Sequence, residues 1–234
     1  MNIDSELNLL NQKTIYDFTK FTTTDYIGYL SCVVWFRGCN LRCQYCYNDD
    51  IVFSKEGNYS QNDILTFLKS RVGLLDAVVL SGGEATTHDL TNFCKKIKEL
   101  GFKIKVDTNG TNLELLKVLI NEKLVDYMAI DFKAPKEKYQ QITGVDKYNR
   151  FIKTIKYLID INFNFELRTT VSTNLLNEND INNIIDTINN LGYTNTYYLQ
   201  NFLQTTSNIG NIIEQKKIDK KKIDSRDLTI QWRN

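Results

Sequence analysis

The chain has 234 residues, 42% of them hydrophobic and 24% charged, and 29 basic against 28 acidic residues leave a net charge of +1. This composition suits a globular domain with a sizeable core and excludes a disordered or fibrous chain. Balanced charge gives no reason to expect nucleic acid as the main partner. One histidine and five cysteines argue against a histidine-rich zinc enzyme and against a disulfide scaffold.

No run of about 18 apolar residues occurs, so no membrane span is expected. Residues 1–13 (MNIDSELNLLNQK) lack the basic-then-apolar order of a secretory signal, and a cytoplasmic protein is expected. The reading is one domain over 1–234, with a core of about 17–203 and a basic tail over 204–234.

In chain order, residues 30–36 (LSCVVWF) read as a buried strand ending at Arg37-Gly38. Residues 60–72 read as a helix. Ser60 and Asp63 form a capping box, and Ile64, Phe67, Leu68 and Val72 share one face. Residues 77–80 (AVVL) are a strand running into Ser81-Gly82-Gly83. Residues 89–100 are a helix with Leu90, Phe93, Cys94, Ile97 and Leu100 on one stripe, stopped by Gly101. Residues 103–106 alternate as a strand ending at Asp107, and 113–120 are helical. A strand over 125–130 ends at Asp131, a helix covers 148–159, and a strand over 163–171 contains Arg168. A helix over 178–191 and a strand over 197–202 complete six strand–helix units. Such alternation means a parallel sheet with right-handed crossovers. Six units are too few for a closed eight-fold barrel, leaving an open six-unit barrel or a flat doubly wound sheet. From Asn211 the lysine-rich tail reads as a solvated helix or extended segment, with a docking surface for a protein partner as the sharper alternative.

The decisive segment is Cys39-Asn40-Leu41-Arg42-Cys43-Gln44-Tyr45-Cys46, with three thiols in eight residues. A short loop can bring such thiolates around one face of an inorganic centre, and three of them on a four-iron cube leave one iron open. A closed zinc site needs four ligands. The available fourth ligands are Cys32 within a strand, Cys94 on an apolar helix stripe, and His88 in a turn. Further on, the glycines of Ser81-Gly82-Gly83-Glu84 can expose backbone groups to a ligand, and Glu84 can pair with an ammonium. Cys39, Gly82, Asp107 and Asp131 all fall at C-terminal strand ends, the active face of a parallel βα barrel. Alone, each aspartate reads equally as a cap or turn residue. Arg168 reads equally as the partner of a carboxylate across the barrel.

The cysteine spacing, with Tyr45 before the last thiol, resembles the signature of the radical S-adenosylmethionine (SAM) superfamily. The resemblance implies a partial (β/α)6 TIM-like barrel and a [4Fe-4S] cluster on Cys39, Cys43 and Cys46. SAM would bind the fourth iron and, on reduction, be cleaved to methionine and a 5'-deoxyadenosyl radical that abstracts hydrogen. The matching Gly82-Gly83-Glu84 motif implies a hold on the SAM amino group.

Several further segments resemble the glycyl-radical-enzyme activases, and among them the anaerobic ribonucleoside-triphosphate reductase activating proteins. They are Phe21-Thr22-Thr23-Thr24-Asp25-Tyr26, Trp35-Phe36-Arg37-Gly38-Cys39, Asp107-Thr108-Asn109-Gly110, Met128-Ala129-Ile130-Asp131-Phe132-Lys133, Arg168-Thr169-Thr170-Val171 and Tyr198-Leu199-Gln200-Asn201-Phe202. The resemblance covers residues 17–203. It implies that Asp107, Thr108 and Asp131, joined by the Ala129 carbonyl, hold a monovalent cation beside the SAM carboxylate. It places Tyr45, Asn109, Lys133 and Arg168 among the SAM-binding residues. The implied substrate is a backbone glycine of a partner enzyme, and the implied electron donor is flavodoxin or ferredoxin. The cysteine count leaves none for a ferredoxin-like insert. Pyruvate formate-lyase activases carry a histidine near the last strand, where this chain reads Leu199-Gln200-Asn201-Phe202. That difference favours the reductase group. An activase of another glycyl radical enzyme and a small-molecule enzyme such as a 7-deazaguanine-pathway synthase are the alternatives.

Overall fold

A computed structural model describes residues 8–213 and 216–233. The chain divides into two compact units. The first holds the chain up to Asn40, Asp50–Thr108 and Asn112–Met128; the second holds Leu41–Asp49, Asn109–Thr111 and everything from Ala129.

The first unit is built on four strands: β1 (Ile15–Thr22), β2 (Ser31–Phe36), β3 (Ala77–Gly82) and β4 (Lys103–Thr108). β2 pairs in parallel with β3, Ser31 opposite Ala77 and Phe36 opposite Gly82. β3 pairs in parallel with β4, Ala77 opposite Lys103. Val33, Val34, Val78, Val79 and Leu80 are buried, as expected of parallel strands covered on both faces. β1 was not anticipated. It runs antiparallel to β2, and its sequence IYDFTKFT is mostly polar and solvated beyond Ile15, which hides it from an apolar-run reading.

Helices α1 (Asp49–Phe53), α2 (Gln61–Lys69), α3 (Thr91–Glu99) and α4 (Leu113–Asn121) follow their strands. α2 begins where its capping box predicts: Ser60 N–H donates to Asp63 at 2.7 Å, and Asp63 N–H donates to the Ser60 hydroxyl at 3.2 Å. Ile64, Leu65 and Leu68 form its buried face. α3 buries Phe93, Cys94 and Ile97, and Gly101 beyond it has φ +90°, the left-handed geometry glycine reaches without strain.

In the second unit, β6 (Phe165–Val171), β7 (Tyr197–Asn201) and β8 (Ile230–Arg233) pair in parallel in chain order. The end of β5 (Tyr127–Asp131) leads to Phe132, whose N–H donates to the Arg168 carbonyl on β6 at 2.8 Å. α5 (Lys136–Thr143), α6 (Tyr148–Asp160) and α7 (Glu178–Asn190) supply its helices. α7 starts with a second capping box, Asn177 with Asp180, and buries Ile181, Ile184, Ile185 and Ile188.

The six expected strands and five expected helices all form. Most described residues of the tail are exposed, as the solvated reading expects, but the tail ends in a strand and in charged contacts. Arg233 at its end makes a two-pronged ion pair with Glu166, at 2.9 and 2.8 Å, and lies 3.5 Å over the Tyr198 ring. Arg226 pairs with Asp186 of α7 at 2.9 Å. The tail therefore meets α7, β6 and β7 through charged and cation–π contacts that a lysine-rich composition does not advertise.

Candidate active site

The cysteine loop leaves β2 beside the turn that leaves β3. Gly83 N–H donates to the Phe36 carbonyl at 2.8 Å, and Glu84 N–H to the Gly38 carbonyl at 2.9 Å. These backbones approach so closely that a Cβ on Gly82 would overlap Phe36, and one on Gly83 would overlap the Gly38 carbonyl. The glycine pair is thus required by the joining of the two turns.

Glu84 is 2% exposed. Its Oε1 accepts from Thr86 N–H at 3.1 Å, Thr86 Oγ1 at 2.6 Å and Thr108 Oγ1 at 2.6 Å. A buried carboxylate needs such donors. Thr108, expected as a cation ligand, orients Glu84. Asp107 lies 3.0 Å from Lys105 Nζ and accepts from the Ser81 hydroxyl at 3.4 Å. Lys105 also donates to the Asp25 carbonyl at 2.6 Å. Lys105 did not stand out in the sequence, and Ser81 entered only as the first residue of the Ser81-Gly82-Gly83-Glu84 motif; the alternation of β4, which puts Lys105 and Asp107 on one face, was the available signal.

In the second unit the Cys43–Cys46 loop is stitched on both sides. Arg42 and Gln44 N–H groups donate to the Thr143 and Ile142 carbonyls at 2.7 and 2.9 Å. The Cys46 and Gln44 carbonyls accept from Ile209 and Gly210 at 3.0 and 2.7 Å. Cys46 N–H returns to the Cys43 carbonyl at 2.9 Å. Burial pushes the Cys46 thiol up, against the lowering pull of the Asn48 amide and Lys133.

Tyr45 is buried, and among the described residues its hydroxyl has no hydrogen-bond partner. Lys133 Nζ lies 5.8 Å from its ring centroid. Lys133 also pairs with Asp131 at 2.9 Å, and Arg168 Nε with the other Asp131 oxygen at 2.5 Å. Burial alone would raise the Asp131 carboxyl; Arg168 and then Lys133 outweigh it and hold the group well below the usual carboxylate range. Burial alone would lower Lys133, but Asp131 holds it well above the usual ammonium range. Asn109 is buried, and its side-chain oxygen accepts from Thr111 N–H and hydroxyl at 3.1 and 2.7 Å, the pattern of a turn.

The thiols fit an iron–sulfur cluster better than a closed zinc ion. None of the five cysteines forms a disulfide. Cys32 and Cys94 are 0% exposed in the core, and burial pushes both thiols up to about 12. His88 engages the Arg37 carbonyl through Nε2 at 2.8 Å. The supply of fourth zinc ligands is therefore committed elsewhere. Among the described residues no three His, Cys, Asp or Glu side chains converge as a single ion demands. A cluster instead distributes its thiolates over separate irons, and its positive irons would reverse the burial penalty on Cys46.

A sequence model of the Radical SAM superfamily matches residues 33–191, and the chain belongs to this superfamily. It is a radical SAM enzyme, a class that uses a [4Fe-4S] cluster and SAM. The chain is 33% identical over 174 residues to a Methanocaldococcus jannaschii protein named for glycyl-radical enzyme activation, covering 71% of this chain and 72% of that one. It is 28% identical over 171 residues to a Saccharolobus islandicus protein named for GTP 3',8-cyclase activity, covering 69% and 53%. In fold it is similar to SuiB of Streptococcus suis bound to S-adenosylmethionine, with TM-score 0.65, 16% identity, and coverage of 86% and 52%. The chain thus spans about half the length of the latter two. Among the described residues no helix is long and apolar enough to cross a membrane.

Proposed function

We propose that this chain is a cytoplasmic activase that cleaves SAM reductively at a 4Fe-4S cluster held by Cys39, Cys43 and Cys46 and generates a glycyl radical on an anaerobic ribonucleoside-triphosphate reductase. The observation that carries this reading is the 33% identity, over 72% of its length, to a relative named for glycyl-radical enzyme activation. Bound there, cluster and SAM supply one-electron bond cleavage and hydrogen abstraction from a backbone glycine, with flavodoxin or ferredoxin as electron source.

The protein's own residues bind and orient. Glu84, fixed by the hydroxyls of Thr86 and Thr108, presents negative charge to the SAM ammonium beside the Gly82-Gly83 backbone. Lys133 and Arg168 supply positive charge for the SAM carboxylate, with Asp131 holding both in place and keeping Lys133 ionised. Tyr45 and Asn109 complete the SAM-contacting set. A monovalent cation at Asp107, Thr108 and Asp131 with the Ala129 carbonyl belongs to the same proposal. It would have to compete with Lys105 at Asp107 and with Lys133 and Arg168 at Asp131, so SAM binding would depend on the identity of the alkali cation.

The 28% identity to a protein named for GTP 3',8-cyclase activity supports a second reading, a small-molecule radical enzyme. One assay separates the two. The reconstituted, reduced protein is incubated with SAM and either the reductase or GTP. A glycyl doublet in electron paramagnetic resonance, with GTP unconsumed, supports the activase; GTP conversion without a doublet overturns it.

A further inference from the structure

After β7 the chain returns to the second half of the cysteine loop, in a segment beyond the span 33–191 that the superfamily model matches. Ile209 N–H donates to the Cys46 carbonyl at 3.0 Å, and Gly210 N–H to the Gln44 carbonyl at 2.7 Å. Cys46 N–H is itself engaged with the Cys43 carbonyl at 2.9 Å. Both peptide planes that flank Cys46 are therefore held. Holding them fixes the direction of the Cys46 Cα–Cβ bond and leaves the thiol a single staggered rotation to choose.

Two residues build the segment for this contact. Gly210 meets the loop too closely for a side chain: a Cβ there would lie 2.8 Å from Gln44 Cβ and 2.9 Å from the Gln44 carbonyl oxygen. Asn208 is 6% exposed and clasps both backbone groups of Ile212. Its Nδ2 donates to the Ile212 carbonyl at 2.9 Å, and its Oδ1 accepts from Ile212 N–H at 2.6 Å. Asn211 N–H donates to the Asn208 carbonyl at 3.0 Å. The turn is thus closed by its own side chain, with Ile209 and Gly210 inside it as the two donors. The Ser207 hydroxyl donates to Asp49 at 3.2 Å and adds a tie to the chain leaving the cysteine loop.

We propose that residues 207–212 form a clip that positions the Cys46 thiol for the iron–sulfur cluster, with Asn208 and Gly210 as its positioning residues. The proposal rests on the assignment of the cluster to Cys39, Cys43 and Cys46. Groups that orient a ligand contribute to metal affinity without binding the metal. A loose loop must be ordered when the cluster binds, and the clip supplies that order beforehand. A turn that merely closes the tail would leave cluster retention untouched.

The test is the rate at which the reconstituted full chain loses iron to bathophenanthroline disulfonate under anaerobic conditions. Asn208→Ala and Gly210→Ala should each release iron roughly tenfold faster than wild type. Alkylation of the apo chain by iodoacetamide, read by peptide mass spectrometry, reports on folding, because Cys32 and Cys94 are fully buried and react only when the core opens. Faster release with Cys32 and Cys94 still protected supports the clip. Release at the wild-type rate in both variants would overturn it, as would faster release found only where Cys32 and Cys94 lose protection. Cys46→Ala separates the two claims. A four-iron cluster retained there at wild-type level would count against the cluster assignment and the clip together. Loss of the cluster in Cys46→Ala, beside wild-type release in the clip variants, would count against the clip alone.

Discussion

Arg168 on β6 and Asp131 at the end of β5 meet at 2.5 Å, with Lys133 on the second oxygen of the same carboxylate at 2.9 Å. One anion thus holds two cations in a largely buried place. Removing it takes the shared counter-charge from both cations at once, whereas removing one cation leaves a pair.

Asp131→Ala should therefore destabilise the protein by on the order of 3 kcal/mol, more than Lys133→Met, in urea unfolding. Iron content after reconstitution should stay at wild-type level, while SAM binding weakens in equilibrium dialysis. Unchanged SAM affinity would remove Asp131 from the binding machinery.

The pH dependence follows in sign. Asp131 is lowered in the folded state, so its contribution is full above the ordinary carboxylate pKa near 4 and is lost as pH falls below that value toward the lowered one. Wild type and Asp131→Asn should differ most at neutral pH and converge in acid, in unfolding free energies measured from pH 7 down to about pH 2. A constant difference across that range would contradict the ion-pair account.

Thr108 donates to buried Glu84 at 2.6 Å. Thr108→Val keeps the shape and removes the donor, and should cost about 1.5–3 kcal/mol, the range for a hydrogen bond to a charged group. If Thr108 instead acts mainly through a bound cation, the loss of stability should appear only when potassium is present; calorimetry with and without potassium distinguishes the two.

Gly83→Ala should fail through geometry, because the added carbon overlaps the Gly38 carbonyl. Backbone cannot yield as a flexible side chain does, so a loss of at least about 1–3 kcal/mol is expected, together with reduced cluster loading, because Gly38 precedes Cys39. Full thermal stability in this variant would show that the two turns are not locked together.

Much of this arrangement was legible in the sequence. β2 and β3 carry the apolar runs CVVWF and AVVL, and α2 announces its start through Ser60. The thiol spacing pointed to a cluster, and a carboxylate partner was an open reading of Arg168. β1 stayed hidden because Asp17, Thr19 and Lys20 interrupt its apolar residues, and β8 because it is four residues in a lysine-rich tail. The partners of Glu84 and Asp107 were hidden for another reason. Thr86, Thr108, Lys105 and Ser81 are ordinary residue types, and only the register of β3 against β4 brings their positions together.

The most direct test of the central claim uses the anaerobically reconstituted, reduced protein with SAM and the anaerobic reductase, beside a Cys43→Ala control. Electron paramagnetic resonance should show a glycyl doublet on the reductase, matched by 5'-deoxyadenosine in chromatography, and the control should give neither. A fully loaded cluster that cleaves SAM without any doublet on the reductase would contradict the proposed substrate, and cleavage by Cys43→Ala would contradict the assignment of the cluster to these cysteines.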